Sequence, residues 1–78
     1  ETMRVERQNP GDRSHHYWIL CNVGTGWYHC DATQISNGFT CFMLTDKQVR
    51  DFTQIKPNFY DFAADRYPAT PQTEFVLQ

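Results

Sequence analysis

No cluster of Lys or Arg interrupts the chain, and seven basic against nine acidic side chains leave a formal net charge of −2. The positive field that draws a protein to a phosphate backbone is missing, so nucleic acid is not an expected partner. No stretch approaches the ~20 consecutive apolar residues of a membrane span, and the opening Glu1-Thr2-Met3-Arg4 carries no apolar run of the kind a secretion signal needs. This segment is therefore expected to make no membrane contact. Cysteine is sparse: Cys21, Cys30 and Cys41 form neither a CxxC knuckle nor an even-numbered disulfide framework. They read as reduced, small core hydrophobes, with an oxidised Cys21–Cys30 crosslink as the minor alternative. Internal repeats and low-complexity tracts are also absent.

What is present is aromatic. Six Phe, four Tyr and two Trp supply 15% of 78 residues, and large rings bury much area per residue, which argues against disorder. A chain this short holds one core, so residues 1–78 are read as a single unit of modest stability. Punctuation falls at Asn9-Pro10-Gly11-Asp12, at Gly24-Thr25-Gly26 and in the Pro-containing region after Ile55. Thr2 to Arg7 alternates weakly and predicts a short edge strand. His15–Val23 and Trp27–Thr33, rich in aromatic and β-branched types and separated by a Gly-headed turn, predict a hairpin over about 15–33. Gly38–Leu44 predicts a further strand. Thr45-Asp46-Lys47-Gln48 has the capping-box pattern and opens a short helix over about 46–52, with Val49 and Phe52 facing inward. Pro57, Pro68 and Pro71 forbid long elements afterwards, leaving Phe59–Phe62 and Phe75–Leu77 as brief strands or docking segments. The expected fold class is α+β: a small antiparallel sheet of three or four strands, one short helix and a Pro-containing C-terminal tail over the core.

With Gly24-Thr25 as a two-residue turn, Asn22 faces Trp27, Leu20 faces His29, Trp18 faces Asp31 and His16 faces Thr33. Alternation sends all eight side chains to one side of the ribbon. Asp31 thereby becomes the diagonal neighbour of His16, ~7–8 Å away at the backbone, within reach of an imidazole and a carboxylate that lean together. A one-residue slip would send Asp31 to the other face. A His–Asp pair is half of a catalytic triad, since the carboxylate fixes the tautomer of an imidazole that activates a nucleophile; it is also a common structural ion pair. Cys21 and Cys30 fall on the opposite face by the same parity, and Cys41 has no helix N-terminus to lower its pKa, so no nucleophile is expected in this chain. His15, His16, His29, Cys30 and Asp31 hold donors for zinc, but only His16, His29 and Asp31 can converge, so no metal is expected. His15 reads as exposed or at an edge and His29 as a solvent-facing or rim residue. Trp27, Tyr28 and Phe42 read as core.

The wording of the hairpin, His16-Tyr17-Trp18 followed by Gly26-Trp27-Tyr28-His29-Cys30-Asp31-Ala32-Thr33, resembles the transglutaminase-like superfamily of cysteine hydrolases and acyltransferases, whose signature is similar to H-x-W, a strand, a Gly turn and W-Y-x-x-D-x-T. Phe42-Met43-Leu44-Thr45-Asp46 and Tyr67-Pro68-Ala69-Thr70-Pro71 are similar to bacterial members as well. The resemblance implies His16 as general base and acid, Asp31 as its orienting carboxylate and Trp18 as a wall of the substrate site, with no cofactor. It departs from the family pattern in one respect: the nucleophilic Cys of such enzymes precedes the His, and residues 1–15 hold none. The resemblance therefore implies the C-terminal, mostly β part of such a domain, completed by a missing N-terminal part and acting on a peptide or protein substrate through a thioester. Bacterial members are often extracytoplasmic. The alternatives are a noncatalytic binding or interaction module derived from that fold and, third, a small zinc-binding domain.

Overall fold

The structure, a computed structural model, describes residues 1–8, 15–32 and 39–76. Four strands, β1 (Thr2–Glu6), β2 (Tyr17–Asn22), β3 (Trp27–Asp31) and β4 (Cys41–Leu44), form one antiparallel sheet in the order β1-β2-β3-β4. Helix α1 (Asp46–Ile55) and a 3₁₀ turn (Ala64–Arg66) follow. This is the expected small α+β fold. The Asn9–Asp12 punctuation, Thr33 and Gly38 of the predicted strands, and Leu77 lie outside the described residues.

The hairpin keeps the expected register, with Asn22 opposite Trp27 and Leu20 opposite His29. Gly24, at φ +95°, occupies a conformation that L side chains rarely adopt, and its N–H donates to Asn22 Oδ1 at 2.9 Å. Strand β1 pairs Val5 with Trp18 and Met3 with Leu20, so Val5, Trp18 and Leu20 share the inner face of the sheet. Val49 and Phe52 of α1 pack there with Cys41, Tyr60 and Phe62 to make the core.

Strand β4 does not simply alternate. His29 pairs with Leu44 and Asp31 with Cys41, so two steps along β3 match three along β4: a β-bulge. Met43 sits in it with φ +53°. The extra residue puts both Cys41 and Leu44 on the inner face and turns Met43, buried, to the outer one. It also overturns the placement of Phe42 in the core. That ring, on an edge strand, is 59% exposed and meets the edge of Phe75, at 6.4 Å between centroids.

Thr45 caps α1 as the sequence predicts. Its hydroxyl accepts from Gln48 N at 3.3 Å, and Gln48 Oε1 accepts from Thr45 N at 2.9 Å. The helix runs three residues beyond the expected 52, to Ile55. Pro57 stops it by pushing Lys56 into extended backbone, φ −119° and ψ 91°. After it, Phe59–Phe62 forms a turn and an irregular segment, not a strand, and Phe75 docks on Tyr28 at 5.2 Å without strand pairing. Pro71 crosses Gly26, where a Cβ would come within 2.5 Å of the proline ring, so only glycine admits the tail.

These contacts predict that Thr45→Ala destabilises the fold by about 1 kcal/mol through loss of the cap, and Phe52→Ala by about 3–5 kcal/mol through loss of core volume. Urea denaturation followed by far-ultraviolet dichroism measures both; equal effects would contradict this division between cap and core.

Candidate functional site

His16 lies just before β2, where its carbonyl accepts from Arg7 N at 2.9 Å and so anchors it to the end of β1. Asp31 ends β3. The side chains meet as the parity of the hairpin predicts: His16 Nε2 lies 2.8 Å from Asp31 Oδ2. The His16 side chain is 17% exposed and that of Asp31 only 3%, which shields the carboxylate while the imidazole reaches the rim. With Nε2 engaged, Nδ1 is the remaining ring nitrogen.

Three rings hold the imidazole. Trp18 stacks beneath it, centroids 5.8 Å apart and planes at 28°; Phe59 and Tyr60 tilt against it at 5.9 and 6.4 Å. Trp18 is buried, so it is the floor under His16. Tyr60 does more. Its hydroxyl donates to Asp31 Oδ2 at 2.8 Å, the same oxygen that His16 contacts. Burial, the Cys41 thiol and the Asp31 carboxylate together push the Tyr60 hydroxyl well above its ordinary pKa, keeping it a donor. No local pattern pointed to Tyr60, which lies 29 residues from Asp31 in a turn after the helix.

A second His–Asp pair sits behind the first. His29 was expected at the solvent rim, yet it is fully buried. Both ring nitrogens are satisfied there: Trp18 Nε1 donates to His29 Nδ1 at 2.9 Å, and His29 Nε2 meets Asp46 Oδ1 at 2.6 Å. An indole can only donate, so Nδ1 accepts and Nε2 carries the proton. The face carrying His16, His29 and Asp31 is the one the helix covers, and burial follows from that. Asp46, the first residue of α1, also receives the Thr70 N–H at 3.5 Å and gives its own N–H to Thr70 Oγ1 at 2.7 Å. Asp46 and Thr70 are 24 residues apart, and only the folded tail brings them together.

His29 is thus committed to Trp18 and Asp46, and His15 is exposed. Among the described residues no three His, Cys, Asp or Glu side chains converge on a metal-sized space. Of the thiols, Cys41 is on the inner face near Tyr60 and Asp31, and burial pushes it up to about 12 despite a hydrogen bond with Tyr60. Cys30 is raised by burial and by Cys21, against a hydrogen bond from Met43 N–H that lowers it. Cys21 and Cys30 take the outer face, away from His16.

Compared with known proteins, the chain matches no protein-family model, no curated protein and no solved structure.

Two outcomes are expected. Iodoacetamide near neutral pH should find no fast thiol, with Cys41 slowest; rapid, His16-dependent alkylation of any cysteine would place a nucleophile within the chain. Burial raises the Asp46 carboxyl, but the hydrogen bonds from His29 and the Thr70 N–H and the charge of Arg50 outweigh it and hold the group below its ordinary value of 3.8. Its stabilising share is complete above that value and is lost as pH falls through the lower, folded one. Asp46→Asn should therefore flatten the acid limb of a urea-midpoint-against-pH curve below about pH 4; an unchanged acid limb would mean that Asp46 does not carry it.

Proposed function

We propose that this chain supplies the imidazole–carboxylate half of a cysteine-dependent hydrolase or acyltransferase acting on peptide or side-chain amides, with the thiol contributed from outside these residues. The observation that carries the proposal is the 2.8 Å contact between His16 Nε2 and a carboxylate shielded from water, with the imidazole itself at the surface. The transglutaminase-like wording of His16-Tyr17-Trp18 and Trp27-Tyr28-His29-Cys30-Asp31 supports the same reading.

In this mechanism Nδ1 of His16 takes the proton of an incoming thiol, and the thiolate attacks the amide carbonyl. Asp31 holds the ring and stabilises the imidazolium so formed, and Tyr60 fixes Asp31. The imidazolium then returns the proton to the departing amine as the C–N bond breaks, leaving a thioester. Water or a second amine, deprotonated by the same nitrogen, releases the acyl group and regenerates the thiol. Trp18 walls the site from below.

The test is amide turnover by the protein expressed from its complete gene. His16→Ala should lower kcat by about 10²–10⁴-fold while leaving the fold intact, and Asp31→Asn should lower it with little change in KM. A complete gene product that is inert toward amides, with His16 accessible and a cysteine present, would favour the noncatalytic binding module instead.

A further inference from the structure

The outer face of the sheet holds a group of sulfur atoms with no part in the proposed chemistry. Cys21 on β2 and Cys30 on β3 are diagonal neighbours, since Cys21 pairs with Tyr28 and Ile19 with Cys30. Diagonal neighbours on one face of a sheet stand close enough for side chains that lean together to meet. A third sulfur comes from β4: Met43 Sδ is 3.5 Å from Cys30 Sγ, and the Met43 N–H donates to the same Sγ at 3.3 Å. Regular alternation from Cys41 would turn Met43 to the inner face. The bulge and the left-handed backbone of Met43 bring it instead onto Cys30. None of the three cysteines is in a disulfide, and Cys21 and Cys30 are partly open to solvent.

We propose that Cys21, Cys30 and Met43 form a binding site for a soft monovalent metal ion, Cu(I). The donor set selects the ion. Two thiols and a thioether are soft ligands that suit Cu(I), whereas hard cations require oxygen donors. Structural zinc takes four ligands drawn from thiolate, imidazole and carboxylate, and a thioether is not among them. With metal–sulfur bonds of about 2.3 Å, three sulfurs around one ion stand roughly 4 Å apart; Met43 Sδ and Cys30 Sγ, 3.5 Å apart, need only a small shift, and Cys21 joins them from its diagonal position. The flexible, polarizable methionine side chain accommodates that shift. Binding replaces the thiol protons of Cys21 and Cys30 with the metal and involves no change of oxidation state. The site lies on the face opposite His16 and Asp31, so it stands independently of the amide chemistry.

The experiment is a competition. The reduced 78-residue chain, held without oxygen, is titrated with Cu(I) in the presence of a chromogenic Cu(I) chelator such as bicinchoninate. The expected result is that one equivalent per chain is withheld, with X-ray absorption showing sulfur ligation at about 2.3 Å. Cys21→Ser and Cys30→Ser should each abolish withholding, and Met43→Leu, which keeps the buried volume, should weaken it by about tenfold or more. Cys41→Ser, on the other face, should leave it unchanged. Circular dichroism of each variant separates lost binding from lost folding; if Cys30→Ser unfolds, Cys21→Ser and Met43→Leu carry the test. No withheld copper, withholding that depends on Cys41, or an affinity unaffected by Met43→Leu would overturn the three-sulfur site.

Discussion

The imidazole of His29 ties the molecule together. It is fully buried between an indole that can only donate and a carboxylate that accepts, and those partners come from β2 and from the first turn of α1. Through Asp46 the same chain of bonds reaches Thr70 in the tail. A buried imidazole with an unsatisfied nitrogen costs on the order of 1–3 kcal/mol, so hairpin, helix and tail must arrive in register together. The indole that satisfies His29 also forms the floor beneath His16. The interior polar chain and the histidine at the rim are thus positioned by one side chain, Trp18.

Asp31 shows the same economy at the rim. One of its oxygens receives both His16 and Tyr60, which makes the orientation of the imidazole depend on a turn that the helix delivers. The turn is itself tied back, since Tyr60 N donates to Thr53 Oγ1 at 3.0 Å and that hydroxyl donates to Val49 O at 2.8 Å. The β sheet supplies the pair, and the helical segment fixes its geometry.

What was legible in the sequence was local or periodic. Gly24 fixes the turn, alternation fixes the faces, and together they bring His16 to Asp31. Thr45 and Gln48 announced the helix start because a capping box needs only residues three apart. The rest depended on distant partners. His29 looked like a rim residue because nothing near it in the chain advertises Asp46 as its acceptor. Tyr60 lay in a segment that read equally as strand or docking piece. The β4 bulge hides within Cys41-Phe42-Met43-Leu44, four apolar residues in a row whose lack of alternation gives no sign that Phe42, read as core, faces solvent.

That bulge gives β4 a fixed reading frame. Cys41 faces Asp31 and Tyr60, Met43 faces Cys30, and Leu44 faces the core, three assignments that a strand of strict alternation cannot hold at once. A one-residue insertion or deletion in β4 would exchange the faces of whatever lies beyond it, up to the helix cap at Thr45. Drift in length is consequently barred from this short edge strand and left to the connections, while drift in side-chain identity remains open at Phe42, whose ring already stands mostly in water.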